Sequence, residues 1–293
     1  MKRLFIIIAI SLITQLNYAQ KVKKPINIYL GTALTQDQIS WSIAGNSSGN
    51  NPNILSEVSW KNLKGTAIIA GLELPVFKNL YLKGGFSRSF IKNGKATDTD
   101  YAEDNRTNPV FNAALNSEDG YLTNYQLNLG YHFYIGGLKL SPNFGYSNHI
   151  QYLHLTDNDL SALNSTYKTL WNGLTAGLDV SKNISRFDIY TVFNYHQVNY
   201  NATANWNLID EFKHPVSFRH IAKGFGLTSD FYLLYQTKKN VSPFVNFGFC
   251  YWSTGAGIDE LYYNDGRIAK TRLNDVSRNG YNLGLGLKII IPQ

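Results

Sequence analysis

The chain has 293 residues, of which 16% are charged, 44% are apolar and 14% are aromatic. Scarce charge combined with many aromatic side chains excludes an intrinsically disordered protein, and a single cysteine excludes a scaffold held by intrachain disulfides. The formal net charge of +7 is too mild to indicate a nucleic-acid partner. Because the mean hydropathy is slightly polar although charge is scarce, the apolar residues must be spread along the chain rather than gathered in apolar helices.

The amino-terminal segment has the pattern of an export signal. Met1, Lys2 and Arg3 form a basic head, and an apolar run follows over residues 4–13. This pattern predicts a signal peptide over residues 1–19 and a mature domain over residues 20–293. An uncleaved membrane anchor is the alternative, but the apolar run is shorter than the ~20 residues that a spanning helix needs. No later run is long enough either, so the exported protein is either soluble or crosses a membrane as strands.

Strict alternation of apolar and polar residues recurs in the remainder of the chain. Within residues 121–135, Tyr125, Leu127 and Leu129 alternate with polar neighbours such as Asn124 and Asn128. Residues 138–152 and 281–291 repeat the pattern. A period of two predicts strands with one apolar and one polar face, because a helix of period 3.6 cannot sort these residues onto one side.

The predicted strands are joined by connections of alternating length. We predict about ten strands, over residues 26–44, 54–74, 80–93, 118–135, 138–156, 168–182, 187–206, 217–236, 243–258 and 276–291. Short connections alternate with long polar ones, which cover residues 45–53, 94–117, 157–167, 207–216 and 259–275. This is the layout of an all-β fold, a transmembrane antiparallel β-barrel with short periplasmic turns and long extracellular loops. The expected location is the outer membrane of a Gram-negative bacterium, with the loops facing outside.

A soluble β-sandwich or a lipocalin-like barrel is the competing interpretation. Its outward face would carry Lys and Glu, whereas the polar faces here are rich in Gly, Asn, Ser and Gln. That composition favours a packed, hydrogen-bonded barrel interior. A diffusion pore is disfavoured, because barrels of this size are largely filled by side chains.

Acidic residues concentrate in the long connections. Of the 20 acidic residues, fourteen lie in or at the edge of these connections, namely Asp98, Asp100, Glu103, Asp104, Glu118, Asp119, Asp157, Asp159, Asp210, Glu211, Asp259, Glu260, Asp265 and Asp275. The extracellular rim is therefore predicted to be acidic, either because charge is costly against lipid or because the rim attracts cationic peptides.

Asp98 and Asp100 stand out, since a spacing of two in an extended chain puts both carboxylates on one side. Such a pair can act as acid and base toward a water, although a solvated loop or a stray cation site explains the same spacing.

The same region resembles a known family. Residues 55–61, residues 67–71 and the run Asp98-Thr99-Asp100-Tyr101 are similar to the corresponding part of the omptins. Omptins are ten-stranded outer-membrane endopeptidases of Gram-negative bacteria, and the specific similarity covers roughly residues 54–106. The resemblance implies that Asp98 and Asp100 form the aspartate couple on one wall of a cleft. In an unbroken strand, Asp98 and Asp100 would lie on the same outward side as Phe86 and Phe90, because all four positions are even. The strand must therefore contain an irregularity near Asn93 if the couple is to point inward.

The opposite wall of an omptin cleft carries an Asp-Glu-His run after the seventh strand. Here Asp210 and Glu211 match that run, whereas Phe212 occupies the histidine position. His214 is the candidate replacement, provided that a turn brings its ring back toward Asp210. If the seventh strand continues without a break, its parity places Asp210 and His214 on the lumen face.

Two functions remain open on this basis. The first is an omptin-like surface endopeptidase, in which Asp98, Asp100 and Asp210, helped by His214, activate a water that attacks a peptide bond. The second is a non-catalytic omptin-like barrel that serves in surface adhesion or ligand binding. The resemblance implies lipopolysaccharide as an activating lipid, no metal or organic cofactor, and a peptide or protein substrate. We expect a monomer surrounded by outer-membrane lipid, with five histidines packed in the strands rather than bound to metal, namely His132, His149, His154, His196 and His220.

Overall fold

The structure is a computed structural model that describes residues 24–293, so the predicted signal peptide over residues 1–19 lies outside the described residues. The described chain contains thirteen β-strands. They are β1 (Ile26–Ile43), β2 (Ser56–Phe77), β3 (Leu80–Glu103), β4 (Thr107–Asn116), β5 (Tyr121–Tyr131), β6 (Phe133–Ile135), β7 (Leu138–Thr156), β8 (Asn164–Ile184), β9 (Phe187–Asn205), β10 (Phe218–Tyr235), β11 (Val241–Thr254), β12 (Gly257–Tyr262) and β13 (Ile268–Ile291).

These strands form a closed antiparallel barrel. Strand β1 pairs with β2 on one side and with β13 on the other, which closes the ring. Strands β4, β5 and β6 follow one another at a single position of the ring, and β11 and β12 share another, so the ring has ten positions. The predicted fold class is confirmed. Among residues 24–293, no helix is long and apolar enough to cross a membrane.

The two faces of the barrel differ as the alternation predicts. In the half of the barrel nearer the short turns, large apolar side chains are exposed on the outer face. They include Leu34, Ile68, Phe86, Phe90, Leu127, Phe144, Leu174, Phe193, Leu227, Phe247 and Leu285. The lumen at that level holds hydrogen-bonded polar groups. Arg278 donates through Nε and Nη2 to the Asp37 carboxylate at 2.9–3.2 Å, and Lys83 Nζ lies 2.8 Å from Asp179 Oδ2. The apolar band therefore faces lipid, and the polar residues pack inside.

Two of the predicted long loops were wrong. Residues 94–117 are mostly strand, because β3 continues to Glu103 and returns through β4 after a three-residue turn. Residues 259–275 likewise form the paired ends of β12 and β13. Polar composition suggested loops, but these hairpins stand in water beyond the lipid, where strands need no apolar outer face.

Just beyond the lipid-facing band, the lumen is filled by aromatic rings that we call the aromatic plug. It consists of Trp41, Trp60, Tyr167, Trp171, Tyr200, Phe218 and Trp252, and each of these side chains is at most 7% exposed. The Trp60 ring stacks on Tyr167 with centroids 5.2 Å apart, and Trp171 contacts Trp252 at 5.8 Å. Gly226 lies directly under the Trp252 indole, where any Cβ would collide with the ring. A cavity of about 260 Å³ lies in the lumen, and Trp252 of the plug is part of its lining.

Candidate functional site

The inward orientation of Asp98 depends on an irregularity in the β2–β3 hairpin. The register shifts between Lys61 and Lys64 of β2 and again between Lys64 and Gly65. At the second shift β3 holds the extra residue, because Lys64 pairs with Asn93 whereas Gly65 pairs with Ile91. Below this bulge Phe90 faces outward and is 44% exposed, whereas above it Asp98 is only 9% exposed. Beyond an extra residue in a strand, the odd-numbered and even-numbered side chains exchange sides, so those that faced lipid now face the lumen. The change of face that the sequence required near Asn93 is therefore present.

Asp98 lies at the mouth of the barrel against a ring from the opposite wall. It is about 25 Å along β3 beyond Phe90, which marks the outer limit of the lipid-facing band. The Trp206 indole, one residue after the end of β9, donates through Nε1 to Asp98 Oδ2 at 3.4 Å. The Trp206 ring also packs edge-on against Phe218 of the aromatic plug at 4.8 Å. The two walls that the omptin resemblance identifies are thus joined by one side chain.

Burial changes the acidity of the aspartate couple. Desolvation, followed by the neighbouring Asp100 carboxylate, raises the pKa of Asp98 to about 7, although the Trp206 hydrogen bond opposes the shift. Desolvation also raises the pKa of Asp100, against a hydrogen bond from Ser56. An acid that remains protonated near neutral pH beside a second carboxyl group has the arrangement that acid–base catalysis on water uses.

This shift predicts a pH-dependent stability. Because the pKa of Asp98 is higher in the folded chain than its ordinary value of 3.8, stability is greatest below about pH 4 and falls as the pH rises through 7. We expect Asp98→Asn to flatten the dependence and to raise stability at pH 8. The measurement is the urea midpoint of the refolded barrel at pH 4.5 and pH 8. Asp119→Asn, an exposed rim substitution, should leave the wild-type dependence unchanged, and an unchanged pH dependence in Asp98→Asn would contradict this account.

The opposite wall differs from the prediction in one respect. Strand β9 ends at Asn205, and residues 206–217 form a loop, so strand parity does not extend to Asp210 or His214. The loop is held against the turn between β12 and β13, where Phe212 bridges to Tyr263. The alternation of β9 does not predict the orientation of these side chains, because backbone hydrogen bonds to a neighbouring turn, rather than pairing with a strand, set the path of the loop.

Within the described residues, the predicted catalytic groups of this loop do not contact one another. Asp210 is exposed, and the recorded contact is the Asn264 side chain donating to its backbone oxygen. His214 Nδ1 lies 2.7 Å from Asn205 Oδ1, and no ion pair joins the ring to Asp210. The structure therefore brings Asp98 and Asp100 together, but it leaves Asp210 and His214 apart at the rim. Their catalytic roles stay a prediction.

A buried His–Asp pair lies beside the plug, and the sequence did not reveal it. His220 Nε2 is 3.2 Å from Asp259 Oδ1, and His220 Nδ1 is 2.8 Å from the Tyr167 hydroxyl. Thr271 donates to the other oxygen of Asp259 at 3.0 Å. Asp259 was assigned to a loop, and only the pairing of β12 with β10 places it opposite His220. Both residues are at most 4% exposed, so the pair joins the walls internally rather than facing a substrate.

The other histidines on the strands are also hydrogen-bonded. His132 contacts Ser141, His149 contacts Asn124, His154 contacts Asn164, and His196 contacts Ser147 and Thr228. Among residues 24–293, no group of three or more His, Cys, Asp or Glu side chains has the geometry of a metal site. The prediction that these histidines are packed within the strands is consistent with these contacts.

Comparison with solved structures supports the fold. The crystal structure of the outer membrane protease OmpT from Escherichia coli superposes with a TM-score of 0.72 at 12% identity, covering 92% of this chain and 98% of that one. The translocator domain of the autotransporter NalP from Neisseria meningitidis covers 92% of this chain and 90% of that one, at 9% identity and a TM-score of 0.38. At such identities the likeness to OmpT establishes an omptin-like fold without establishing membership of the omptins.

Comparison of sequences identifies the family. No curated protein sequence matches the chain. The family model described as Pom, Protochlamydia outer membrane protein, matches residues 29–291, which include nearly all of the barrel. The predicted location in the outer membrane is confirmed by this match together with the barrel. The chain belongs to the Protochlamydia outer membrane protein (Pom) family.

Proposed function

We propose that the chain is a sealed, non-catalytic outer-membrane barrel that binds a ligand through its extracellular hairpins. The observation that carries this proposal is the Trp206 indole, which reaches across the mouth and donates to Asp98. A substrate would need that position to contact the aspartate couple. Beneath it the buried rings of the aromatic plug occupy the lumen, and we infer that neither a peptide nor a solute passes them.

The loop after β9 supports the same proposal. An omptin-type mechanism needs an imidazole that is oriented by an aspartate, but Phe212 occupies the histidine position and His214 is bonded to Asn205. Loss of a general base commonly costs about 10²–10⁴ in rate. Two proteins can share a fold without sharing its chemistry, because function depends on the site rather than on the fold.

Peptide hydrolysis is the second candidate, and the raised pKa of Asp98 beside Asp100 favours it. In this reaction the Trp206 ring swings out of the mouth and a water enters between the two carboxyl groups. Ionised Asp100 accepts a proton from the water as the water oxygen attacks the scissile carbonyl carbon. Protonated Asp98 donates its proton to the carbonyl oxygen. Asp210 and His214 would bind the peptide on the opposite wall.

One experiment separates the two candidates. The mature barrel, refolded with lipopolysaccharide, is incubated with a mixed peptide library from pH 5 to pH 8 and compared with Asp98→Ala and Asp210→Ala. We expect no cleavage that depends on Asp98. Cleavage by the wild type that is lost in Asp98→Ala would overturn the non-catalytic proposal and establish the protease.

The β2–β3 hairpin carries a contact surface that suits the lipid partner implied by the resemblance. Lys61, Lys64, Lys92 and Lys95 are exposed on its outer side, just beyond the lipid-facing Phe90. Lys61 pairs with Lys95, whose ammonium donates to Asn116 Oδ1 at 2.7 Å, and an anion bound beside the two lysines would offset their repulsion. We propose that lipopolysaccharide phosphates occupy this lysine patch.

The lysine patch leads to a measurable prediction. Added lipopolysaccharide should raise the unfolding temperature of the wild-type barrel in micelles, and replacing the four lysines by glutamine should remove most of that rise. Each lysine near an anionic surface contributes about 1 kcal/mol. The matched control replaces Lys78, Lys182, Lys238 and Lys239, which lie at the periplasmic end, and should keep the full rise. Equal loss in both variants would contradict a specific patch.

A further inference from the structure

The ring of strands is open on its extracellular side between β4 and β7. Strand β4 is paired with β3 along residues 95–103, but it meets β7 only at Asn116, opposite Thr156. Strand β7 ends at Thr156, and the chain returns through a short loop to β8. Within the described chain, the outer edge of residues 107–115 therefore has no strand partner.

The exposed side chains of β4 add to this open edge. Val110 is 66% exposed and Phe111 is 48% exposed, although both lie far above the lipid-facing band. Phe111 pairs with Asp100, about 33 Å along β3 beyond Phe90. Lipid contact therefore does not explain these apolar side chains. Unpaired strand edges are templates for another strand, and exposed apolar groups beside them indicate a binding surface.

Carboxylates surround the open edge, whereas β4 itself carries no charge. They are Glu103 and Asp104 at the tip of the hairpin, Glu118 and Asp119 below β4, and Asp157 and Asp159 on the loop across the gap. Among the described residues, none of these six forms an ion pair. Arg106 in the β3–β4 turn is paired with Glu57, and the lysine patch lies lower on the hairpin, so the six carboxylates near the edge favour a positively charged segment over an acidic one.

We propose that the free edge of β4 binds an extended, basic segment of a partner polypeptide by β-strand addition. Backbone groups of residues 111–115 pair with the incoming strand, because Val110 is the extra residue of a bulge between the Asp100–Phe111 and Tyr101–Pro109 pairs, and Pro109 has no N–H to offer. Val110 and Phe111 contact its apolar side chains, and the surrounding carboxylates bind its lysines or arginines. The proposal rests on the binding function proposed above and assigns it a site and a ligand class.

The test uses the complete mature barrel in detergent micelles and fluorescent ten-residue peptides. The first peptide alternates lysine with threonine and valine. The second and third peptides have the same sequence, with N-methyl groups on the odd-numbered backbone nitrogens in one and on the even-numbered ones in the other. The fourth peptide has glutamate in place of lysine. We expect the first peptide to bind. Methylation of the set that faces the barrel should weaken binding by about tenfold, because two or three hydrogen bonds are lost, and methylation of the other set should change it little. The glutamate peptide should not bind.

Variants locate the site on the rim. The substitutions Glu118→Gln, Asp119→Asn, Asp157→Asn and Asp159→Asn together should weaken binding of the lysine peptide by about fivefold at low salt and flatten its salt dependence. The matched control, Glu260→Gln with Asp265→Asn, neutralises acids on the β12–β13 hairpin and should bind as the wild type does. Circular dichroism of each variant verifies that the barrel has folded.

The outcomes separate the two proposals. Absence of binding, equal binding of both methylated peptides, or an equal effect of the control variant would overturn strand addition at β4, while the sealed barrel would stand. Cleavage of the bound peptide, read by mass spectrometry, would overturn the non-catalytic barrel, while the methylation comparison would still decide the binding mode.

Discussion

Arg278→Ala is expected to lower the free energy of unfolding of the barrel by about 3–5 kcal/mol. The Arg278 side chain is 4% exposed and donates three hydrogen bonds to the Asp37 carboxylate, which also accepts one from Gln151. Removing the guanidinium leaves Asp37 as a buried charge with a single amide donor. Urea unfolding in micelles, followed by tryptophan fluorescence, measures the loss.

The double variant Asp37→Leu/Arg278→Met tests the cause. When both charges are replaced by apolar groups of similar size, no uncompensated charge remains, so most of the lost stability should return. The control is Arg267→Ala, which removes an exposed ion pair to Asp265 and should cost less than about 1 kcal/mol. A loss in Arg278→Ala as small as that in Arg267→Ala would show that the lumen pair is screened by water.

Trp252→Ala is expected to cost about 3–5 kcal/mol, as truncation of a large buried aromatic residue does. The indole is fully buried and packs against His149 at 4.3 Å, His196 at 4.8 Å and Trp171 at 5.8 Å. No neighbouring strand can move inward to close the space, because the hydrogen-bonded ring fixes the diameter of the barrel. The same urea titration gives this value, with the lipid-facing Phe247→Ala for comparison.

Opening of the plug has a second readout at Cys250, the single cysteine of the chain. Cys250 lines the cavity beneath the plug. In the double variant Trp171→Ala/Trp252→Ala, we expect a water-soluble maleimide to label this thiol at least about tenfold faster than in the wild type. Phe247→Ala should label at the wild-type rate. Unchanged labelling in the double variant would mean that the plug does not control access to the lumen.

Comparison of prediction and structure shows which elements a local pattern can determine. The alternation around Tyr125 and Leu283 predicted strands correctly, because a strand facing lipid on one side and a packed lumen on the other must alternate. The same reasoning failed for residues 94–117 and 259–275, since both faces of a hairpin in water are polar and resemble a loop.

The candidate site shows the same division. Asp98 and Asp100 were found from their spacing and from the omptin resemblance, and the bulge near Asn93 turns Asp98 inward as required. The contact of Trp206 with Asp98 was not predicted, because the two residues are separated by 108 positions in the chain. Neither did the sequence predict the path of the loop that holds His214, which is bonded to Asn205 rather than directed at Asp210.

By itself, the sequence determined that this protein is a β-barrel of the outer membrane, because residues that face lipid alternate with residues that face the lumen along the membrane-spanning strands. Only the tertiary structure decided that Trp206 meets Asp98 across the mouth, that aromatic residues form a plug and that, within the described residues, β4 has a free edge. These features arise from side chains and strand ends that meet across the ring. Closure of the barrel brings distant residues together, and no local period encodes which of them meet.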